Sequence, residues 1–224
     1  MADDKEPTAG DNVVVIGLGR FGGQVAESLT RLGHEVLGIE SDMQIVQEWS
    51  DRLAHVVQAD ATDEDALRQL GVPDLRRAVV GIGADLEASV LTVLALVEVG
   101  VREIWAKAIS VKHGKILRQV GAQHVIYPEA AMGDRVAHLI TSRMIDFIEF
   151  DDGFAIAKTR APKEAVGRSL ADVGLRTTYG VTVVGVKESG RDFVYAQPQT
   201  VVPPGALMIV AGPTSKVQRF AAAT

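Results

Sequence analysis

Short, apolar runs alternate with longer segments of helical periodicity over the first half of the chain. The apolar runs read NVVVIGL, HEVLGIE, AHVVQA, RAVVGIG, EIWAKA and HVIY. Helical spacing is clearest from Arg20 to Leu32, where Phe21, Val25 and Leu29 recur on one face. Because apolar strands separated by helices are typical of a parallel sheet covered on both faces, we expect an α/β fold. Six such strands predict a Rossmann-type doubly wound domain over residues 12–129.

The pattern changes after Pro128, where the segment AAMGDRVAHLITSRMIDFIEF predicts one long amphipathic helix. Its apolar stripe consists of residues at helical spacing: Met132, Val136, Leu139, Ile140, Met144 and Phe147. Packing inside the chain and contact with a second subunit both explain such a stripe. We assign residues 130–147 to a crossover or dimerisation helix that links two domains.

Shorter strands and frequent turns, among them KESGRD and VPPGA, follow this helix. They predict a small α+β C-terminal domain over residues 148–224, with one short helix near RSLADVGL and a final helix from Thr214. At the opposite end, the polar residues 1–11 predict a disordered N-terminal tail that does not resemble a signal peptide.

Composition excludes several classes of protein. The 224-residue chain is 47% hydrophobic, enough for a sizeable core, and its formal net charge of −6 argues against nucleic acid as a partner. It contains no cysteine, so disulfides, thiolate metal sites and cysteine nucleophiles are excluded. No apolar segment has the length of a membrane span, so we expect a soluble, cytoplasmic protein.

The stretch VVVIGLGRFG carries the pattern G-x-G-x-x-G, formed by Gly17, Gly19 and Gly22, between a predicted strand and a predicted helix. In that context the first glycine permits a tight turn, the second lets a phosphate approach the backbone, and the third allows close helix packing. The helix N-terminus adds N–H groups and the positive end of a dipole. The pattern predicts a nucleotide site, with Arg20 in the middle of it, where the phosphates would lie.

Residues after the next three strands extend the predicted site. Glu40 ends the second strand, where its carboxylate would accept hydrogen bonds from ribose hydroxyls and repel a 2′-phosphate. The sequence therefore favours ATP, ADP or NAD(H) over NADP(H). Asp60 and Ala61 follow strand three, where the base would lie, and Gly83 follows strand four, close to the phosphates.

Two charged residues lie at the same edge of the predicted sheet: Lys107 ends strand five and Glu129 follows strand six. Lys107 can offset phosphate charge. Glu129 beside phosphates requires a bridging cation such as Mg²⁺, because two anions repel each other. Alternatively, Glu129 is a solvated acid that caps the helix beginning nearby.

The groups that a nicotinamide dehydrogenase needs are not evident. Such an enzyme requires a general acid or base, and most of the five histidines lie at strand starts or in helices, away from the predicted site. The chain also has no G-x-S-x-G, H-E-x-x-H or Walker A motif. We therefore predict a nucleotide-binding protein that is not an enzyme.

Several segments together are similar to the RCK family, the cytosolic regulators of Ktr and Trk potassium transporters and of some potassium channels. They include VVVIGLGRFGGQVAESLTRLGHEVLGIE, ADATDEDALRQLGV, AKAISVKHGKILRQVGAQHVIYPEAAMGDRVAHLI and VVPPGALMIVAGP. The likeness covers residues 12–220 in order. It implies a regulatory subunit that forms homodimers and an octameric ring on the cytoplasmic face of a membrane-embedded transporter subunit. The ring would gate potassium transport by binding ATP or ADP.

The same resemblance implies roles for individual residues. Arg20 would reach the γ-phosphate bound in the neighbouring subunit, and Phe21 belongs to the same nucleotide-binding GLGRFG turn. The other implied roles are ribose binding by Glu40, adenine binding by Asp60 and Ala61, phosphate binding by Lys107, and a divalent cation shared with ATP at Glu129.

In the C-terminal half, the resemblance implies a cyclic di-AMP site at a dimer interface. Arg176 matches the arginine used there and Leu175 lies beside it, whereas Thr182 stands where the family often has asparagine. Two alternative functions stay open: an NAD(H)-sensing regulator of the Trk type, and an NAD-dependent oxidoreductase.

Overall fold

The computed structural model describes residues 12–150 and 152–224. The predicted disordered tail, residues 1–11, lies outside the described residues. Contacts between residues divide the chain into two compact units, and the division falls after Glu129. Each unit has its own buried hydrophobic core.

The N-terminal unit contains six parallel strands. They are β1 (Val13–Ile16), β2 (Val36–Glu40), β3 (His55–Gln58), β4 (Arg77–Val80), β5 (Glu103–Lys107) and β6 (His124–Ile126). Their order in the sheet is β3-β2-β1-β4-β5-β6. From β1 the chain adds strands on one side as far as β3, and it then crosses back to β4 and adds the remaining strands on the other side. The predicted Rossmann-type doubly wound sheet is therefore confirmed.

Helices connect these strands along both faces of the sheet. They are α1 (Arg20–Arg31), α2 (Met43–Ser50), α3 (Glu64–Gln69), α4 (Leu86–Glu98) and α5 (Val111–Gln119). Because parallel crossovers are right-handed, α1 and α2 lie on one face and the other three lie on the opposite face. The strand β1 is buried on both sides as a result, and the adjacent Val14 and Val15 are both fully buried.

Side-chain caps define the starts of four of these helices. Asp42 caps α2, Asp63 caps α3, Asp85 caps α4 and Ser110 caps α5, each accepting a hydrogen bond from a backbone N–H of the first turn. Such a cap stabilises a helix by about 1 kcal/mol. The helix α1 differs, because its N-cap is Gly19 and no side chain accepts a hydrogen bond there.

The next helix, α6 (Pro128–Thr141), is shorter than the helix predicted over residues 130–147. The Thr141 hydroxyl donates to a carbonyl one turn earlier, at 2.7 Å, a local bond of the kind found where helices bend or end. The chain then forms the strand β7 (Asp146–Glu149), in which Phe147 is buried. Phe147 therefore belongs to the core of the second unit and not to a helical stripe.

The C-terminal unit is a five-stranded sheet with helices packed against it. Besides β7, its strands are β8 (Phe154–Arg160), β9 (Thr182–Lys187), β10 (Phe193–Tyr195) and β11 (Leu207–Pro213). They lie in the order β10-β9-β11-β8-β7, and each pair is antiparallel. The helices are α7 (Leu170–Val173), α8 (Leu175–Tyr179) and α9 (Thr214–Ala222). The predicted small α+β domain is confirmed.

The single helix predicted near RSLADVGL is divided into α7 and α8 at Gly174, whose φ of 62° interrupts the helical backbone. The core is centred on Met208, Val210 and Phe220, all fully buried. Of the helices in the described part of the chain, none combines the length and the apolar character that crossing a bilayer requires.

Candidate nucleotide-binding cleft

A cleft of about 480 Å³ opens at the carboxyl ends of the parallel strands, where the strand order reverses. Ligands bind at this position in doubly wound folds. Ten of the eleven residues predicted for the nucleotide site line it: Gly17, Gly19, Arg20, Phe21, Glu40, Asp60, Ala61, Gly83, Lys107 and Glu129. The eleventh, Gly22, lies beneath the glycine turn and is buried.

The three glycines of the turn serve different purposes. Gly17 has a φ of 84°, in the left-handed region that favours glycine. A Cβ on Gly22 would overlap the carbonyl oxygen of Gly17, so α1 can begin this close to β1 only with glycine there. Gly19 has an ordinary φ of −62°, and a Cβ on it would meet no protein atom within 4 Å. The fold requires Gly17 and Gly22, whereas the space at Gly19 is free for a ligand.

The N-terminus of α1 presents unpaired donors to the cleft. Gly19 supplies no capping side chain, and the first turn contains no acidic residue. The first N–H groups of the helix and the positive end of its dipole are therefore available to an anion. Arg20 is the first residue of the helix, is exposed, and forms no salt bridge with another described residue. This end of the cleft is suited to phosphate.

A salt bridge joins the two charged residues that follow β5 and β6. Lys107 Nζ lies 2.5 Å from Glu129 Oε1; the lysine side chain is 12% exposed and that of the glutamate 66%. The hydrogen bond from Lys107 lowers the pKa of Glu129, and the positive charges of Lys107 and Arg20 lower it further. Lys107 Nζ also lies 5.7 Å from the ring centre of Phe21. The pair therefore holds an ammonium group beside the glycine turn.

Neighbouring N–H and hydroxyl donors hold two further carboxylates that line the cleft. Glu40 Oε2 accepts a hydrogen bond from the Leu18 N–H at 2.7 Å, and Oε1 accepts one from the Ser41 N–H at 2.8 Å. Asp60 accepts from the hydroxyl and the N–H of Thr62, at 2.7 and 2.9 Å, and these bonds lower its pKa. Because each carboxylate oxygen has two lone pairs, both groups can still accept hydrogen bonds from a ligand.

The lining residues that the sequence reasoning did not select include Asp85 and Thr92. Asp85 caps α4 by accepting a hydrogen bond from the Ala88 N–H at 3.0 Å. It lies in the segment between β4 and α4, so the rule that ligands lie beyond strand ends would have found it. Thr92 is fully buried and its hydroxyl has no hydrogen-bond partner. No sequence signal marks Thr92, because its position depends on how α4 packs.

The predicted metal site rests on Glu129 alone. Within residues 12–150 and 152–224, no group of three or more His, Asp or Glu residues is arranged to hold a metal ion. A cation at Glu129 would therefore take most of its oxygen ligands from a bound molecule and from water. Mg²⁺ is commonly held in this way, by one or two carboxylates together with ligand phosphates.

The two residues predicted for a cyclic di-AMP site differ in accessibility. Leu175 is 3% exposed and belongs to the C-terminal core, and its place in a cyclic di-AMP site stays a prediction. Arg176, the next residue of α8, is exposed. Cyclic di-AMP binding at Arg176 stays a prediction.

A doubly wound sheet with a glycine turn at its switch point, followed by a small antiparallel sheet, defines a class of two-domain Rossmann-type proteins. Family models place the chain within that class. The TrkA-N domain matches residues 13–128, and the TrkA-C domain matches residues 156–224. The chain belongs to the TrkA-N and TrkA-C domain family, as the resemblance of its sequence implied.

Known proteins of similar length support this assignment. The Ktr system potassium uptake protein A of Bacillus subtilis (strain 168) is 33% identical over 207 residues, which cover 92% of this chain and 93% of that protein. The Ktr system potassium uptake protein C of the same organism is 34% identical over 207 residues, covering 92% and 94%. Both relatives therefore match the chain over nearly its whole length.

Solved structures show the same fold. The crystal structure of the GsuK RCK domain matches with a TM-score of 0.66 and 20% identity, over 99% of this chain and 49% of that one. The GsuK channel bound to NAD matches with a TM-score of 0.62 and 20% identity, over 96% and 39%. The chain thus spans about half, or less, of the length of these two solved chains.

Proposed function

We propose that this chain is the nucleotide-sensing regulatory subunit of a potassium uptake system, and that it acts by binding and not by catalysis. One observation carries the proposal: a free glycine cradle, the uncapped start of α1 and Lys107 converge in one cleft, with the exposed Arg20 beside them. The names of the two Ktr relatives support potassium uptake as the process that it serves. None of the described residues that line the cleft is a histidine, which gives no support to a dehydrogenase.

The α1 end of the cleft is proposed to hold the phosphates. Backbone N–H groups at Gly19 and in the first turn of α1 donate to phosphate oxygens, and Lys107 contributes a compact positive charge. The planar guanidinium of Arg20 suits the terminal phosphate, which we assign to the nucleotide of a neighbouring copy. Since a hydrogen bond to a charged group is worth about 1.5–3 kcal/mol, Arg20 alone can separate ATP from ADP.

The Lys107–Glu129 salt bridge is proposed to make the site sensitive to a cation. Lys107 is held by Glu129, so its ammonium must be shared with an entering phosphate. The exposed Glu129 carboxylate then faces a second anion and becomes a ligand for Mg²⁺. A cation held there supplies the positive charge that keeps the carboxylate and the phosphates together.

The other end of the cleft is proposed to read the adenosine. Glu40 accepts hydrogen bonds from the ribose hydroxyls, and Asp60 with Ala61 borders the adenine. This end does not separate ATP from NAD(H), because both carry the same adenosine. The GsuK structures bound to NAD and to ADP keep an NAD(H)-sensing regulator of the Trk type as the second candidate. The phosphate end decides between the two.

Gating follows if ATP and ADP bind two shapes of an assembly with different affinity. A ligand shifts such an equilibrium only by its difference in binding free energy between the shapes. Moving one shape from about 1% to about 99% of the population takes about 5.5 kcal/mol. Shared among the subunits of an octameric ring, this is below about 1 kcal/mol per subunit, less than one charge-assisted hydrogen bond.

Two exposed apolar surfaces support self-association through α6. One is a groove of about 550 Å³ on the sheet beside α1, with these apolar lining residues: Val13, Phe21, Val25, Leu29, Val79, Trp105 and Ile126. The other is α6, which has no buried residue and exposes Met132, Val136 and Ile140 four residues apart. A second copy that places α6 in the groove would cover both. We propose a homodimer built in this way, rings of such dimers, and attachment to a membrane-embedded subunit at the cytoplasmic face.

Calorimetric titration with ATP, ADP and NADH, each with and without Mg²⁺, tests the nucleotide proposal. We expect ATP to bind more tightly than ADP, Mg²⁺ to widen that difference, and ATP to displace NADH in competition. Tighter binding of NADH would favour the Trk-type alternative. Consumption of NADH by the purified protein would instead identify an oxidoreductase.

Sedimentation velocity tests the dimer. Ile140→Asp places a charge on the most exposed apolar position of α6, at 78% exposure, and should convert dimers to monomers. Leu32→Asp is the matched control, because Leu32 is also exposed but lies at the end of α1 and outside the groove. A wild-type protein that sediments as a monomer at micromolar concentration would contradict the dimer.

A further inference from the structure

The carboxylate of Glu40 is bonded to two segments of the chain at once. Its Oε2 accepts a hydrogen bond from the Leu18 N–H at 2.7 Å, 22 residues away, within the glycine turn. Its Oε1 accepts from the N–H groups of Ser41 and Asp42, at 2.8 and 3.2 Å, and from the Ser41 hydroxyl at 3.2 Å. The side chain therefore ties the end of β2 to the turn that follows β1.

Packing of its side chain also holds Leu18 in place. The Leu18 side chain is 1% exposed and lies against Gly38 on β2, where a Cβ would approach Leu18 Cδ1 to 2.9 Å. Leu18 is therefore held in two ways: its side chain packs against β2, and its backbone N–H is bonded to Glu40. The adjacent Gly19 has no side chain and no protein atom near its Cβ position, and its carbonyl accepts a hydrogen bond from the Gly23 N–H at 2.9 Å.

We propose that Glu40 is a positioning residue for the phosphate cradle, in addition to any contact that it makes with ribose. By holding the Leu18 N–H, its carboxylate sets the backbone at Gly19 and the start of α1 before a ligand arrives. This inference rests on the proposed nucleotide site. It adds that a group at the ribose end of the cleft determines affinity for the phosphate part of the ligand.

The length of the side chain is essential to this role. Aspartate at position 40 would keep the negative charge and could still accept hydrogen bonds from ribose. Its carboxylate would be withdrawn by one carbon–carbon bond, about 1.5 Å, which breaks the contact with the Leu18 N–H. Glu40→Asp therefore separates the two roles. The variant keeps a carboxylate that can accept hydrogen bonds from ribose, and it loses the hydrogen bond from the Leu18 N–H in the glycine turn.

Titration of the full chain with inorganic tripolyphosphate and with 2′,3′-dideoxy-ATP provides the test, because neither ligand has 2′ and 3′ ribose hydroxyls. We expect Glu40→Asp to weaken binding of both ligands, and of ATP, by the same factor of about ten, the effect of one lost hydrogen bond to a charged group. Glu48→Asp, the same shortening at an exposed position of α2 outside the cleft, should change none of them. Wild-type affinity of Glu40→Asp for dideoxy-ATP and tripolyphosphate would overturn the inference.

Amide hydrogen exchange gives a second readout that does not depend on ligand. In the wild type, the Leu18 N–H should be protected in the absence of nucleotide, and Glu40→Asp should remove that protection while the amides of β4 stay protected. Equal exchange at Leu18 in both proteins would contradict the positioning role of Glu40. Failure of the wild type to bind any nucleotide would contradict the proposed function instead, and the exchange result would be unaffected.

Discussion

The helices α1 and α4 begin at the same cleft, after adjacent strands, and their first turns are opposite in character. Asp85 caps α4, so that its first turn carries a bonded carboxylate. The first turn of α1 has Gly19 in place of a cap and Arg20 in place of an acid. An anion entering the cleft therefore meets free N–H groups at α1 and a negative charge at α4. This difference favours a nucleotide whose phosphates lie toward α1, as in the proposed function.

The same comparison separates what stability requires from what binding requires. A side-chain cap at α1 would add a few tenths of a kcal/mol over glycine, and α2, α3, α4 and α5 all have one. The backbone at Gly19 is extended, as an N-cap requires, and the space for a side chain is open. The missing cap is therefore not forced by the fold, and it leaves the first N–H groups of α1 available to a ligand.

The largest effect is expected where the turn itself is broken. Gly22→Ala places a Cβ against the carbonyl oxygen of Gly17 and should destabilise the protein by about 3 kcal/mol or prevent folding. Gly19→Ala is the matched control, since its Cβ meets no protein atom, and its free energy of unfolding should stay within about 1 kcal/mol of wild type. Urea denaturation measures both, and equal losses would remove the distinction between the two glycines.

Giving α1 the cap of α4 should abolish the difference between the two helices. Gly19→Asp supplies a capping carboxylate at a position of suitable backbone geometry, so stability should be unchanged or slightly higher. Nucleotide affinity should fall by about 100-fold or more, because the carboxylate occupies the donors and repels phosphate. Gly19→Asn caps equally well without charge and should lose less affinity. Retention of ATP affinity by Gly19→Asp in calorimetry would show that the phosphates lie elsewhere.

Removing the cap of α4 is the converse change. Asp85→Ala leaves the Ala88 N–H without its partner and should lower the free energy of unfolding by about 1 kcal/mol. ATP affinity should stay the same or rise slightly, because one negative charge leaves the cleft. A loss of affinity as large as that of Gly19→Asp would indicate that the phosphates lie at α4 and would contradict their proposed position at α1.

The helix α5 is also capped but lies outside the glycine turn. A histidine near its start should make stability depend on pH, and this is the smallest of the expected effects. His113, whose N–H is bonded to the Ser110 cap, is 2% exposed, and burial lowers the pKa of its imidazole. Because its pKa is lowered in the folded protein, His113 takes up a proton at a higher pH in the unfolded chain than in the folded one. The stabilisation is therefore complete above the unfolded pKa of about 6.5 and is lost as the pH falls toward the lower folded value.

Urea midpoints at pH 7.5 and pH 5.5 measure this dependence. The midpoint of the wild type should decrease between the two values, and His113→Leu should reduce that decrease. His55→Leu serves as the control, because His55 is exposed on β3. An identical decrease in wild type and His113→Leu would assign the pH dependence to other groups.

Much of the cleft could be predicted because strand ends are visible in sequence. Glu40, Asp60 and Lys107 each end or follow an apolar run, and parallel strands bring those ends to one edge of the sheet. What could not be predicted depends on three-dimensional reach. The 2.7 Å bond from the Leu18 N–H to Glu40 joins positions 22 residues apart, and nothing in their spacing indicates it.

The predicted end of the helix α6 was wrong for a different physical reason. The apolar positions from Met132 to Phe147 fit one helix, yet the chain leaves the helix at Thr141 and buries Phe147 in an antiparallel strand. Tertiary packing overrides a local pattern here, and only the sheet that receives the Phe147 side chain determines the outcome.

The central claim is that Arg20 and the uncapped start of α1 measure the phosphate content of a bound nucleotide. Calorimetric affinities for ATP and ADP in wild type, Arg20→Ala and Arg31→Ala test it directly, Arg31 being the arginine at the opposite end of the same helix. The account predicts that Arg20→Ala narrows the difference between ATP and ADP affinity while ADP affinity stays nearly unchanged, and that Arg31→Ala keeps the wild-type ratio. An unchanged ratio in Arg20→Ala would contradict it.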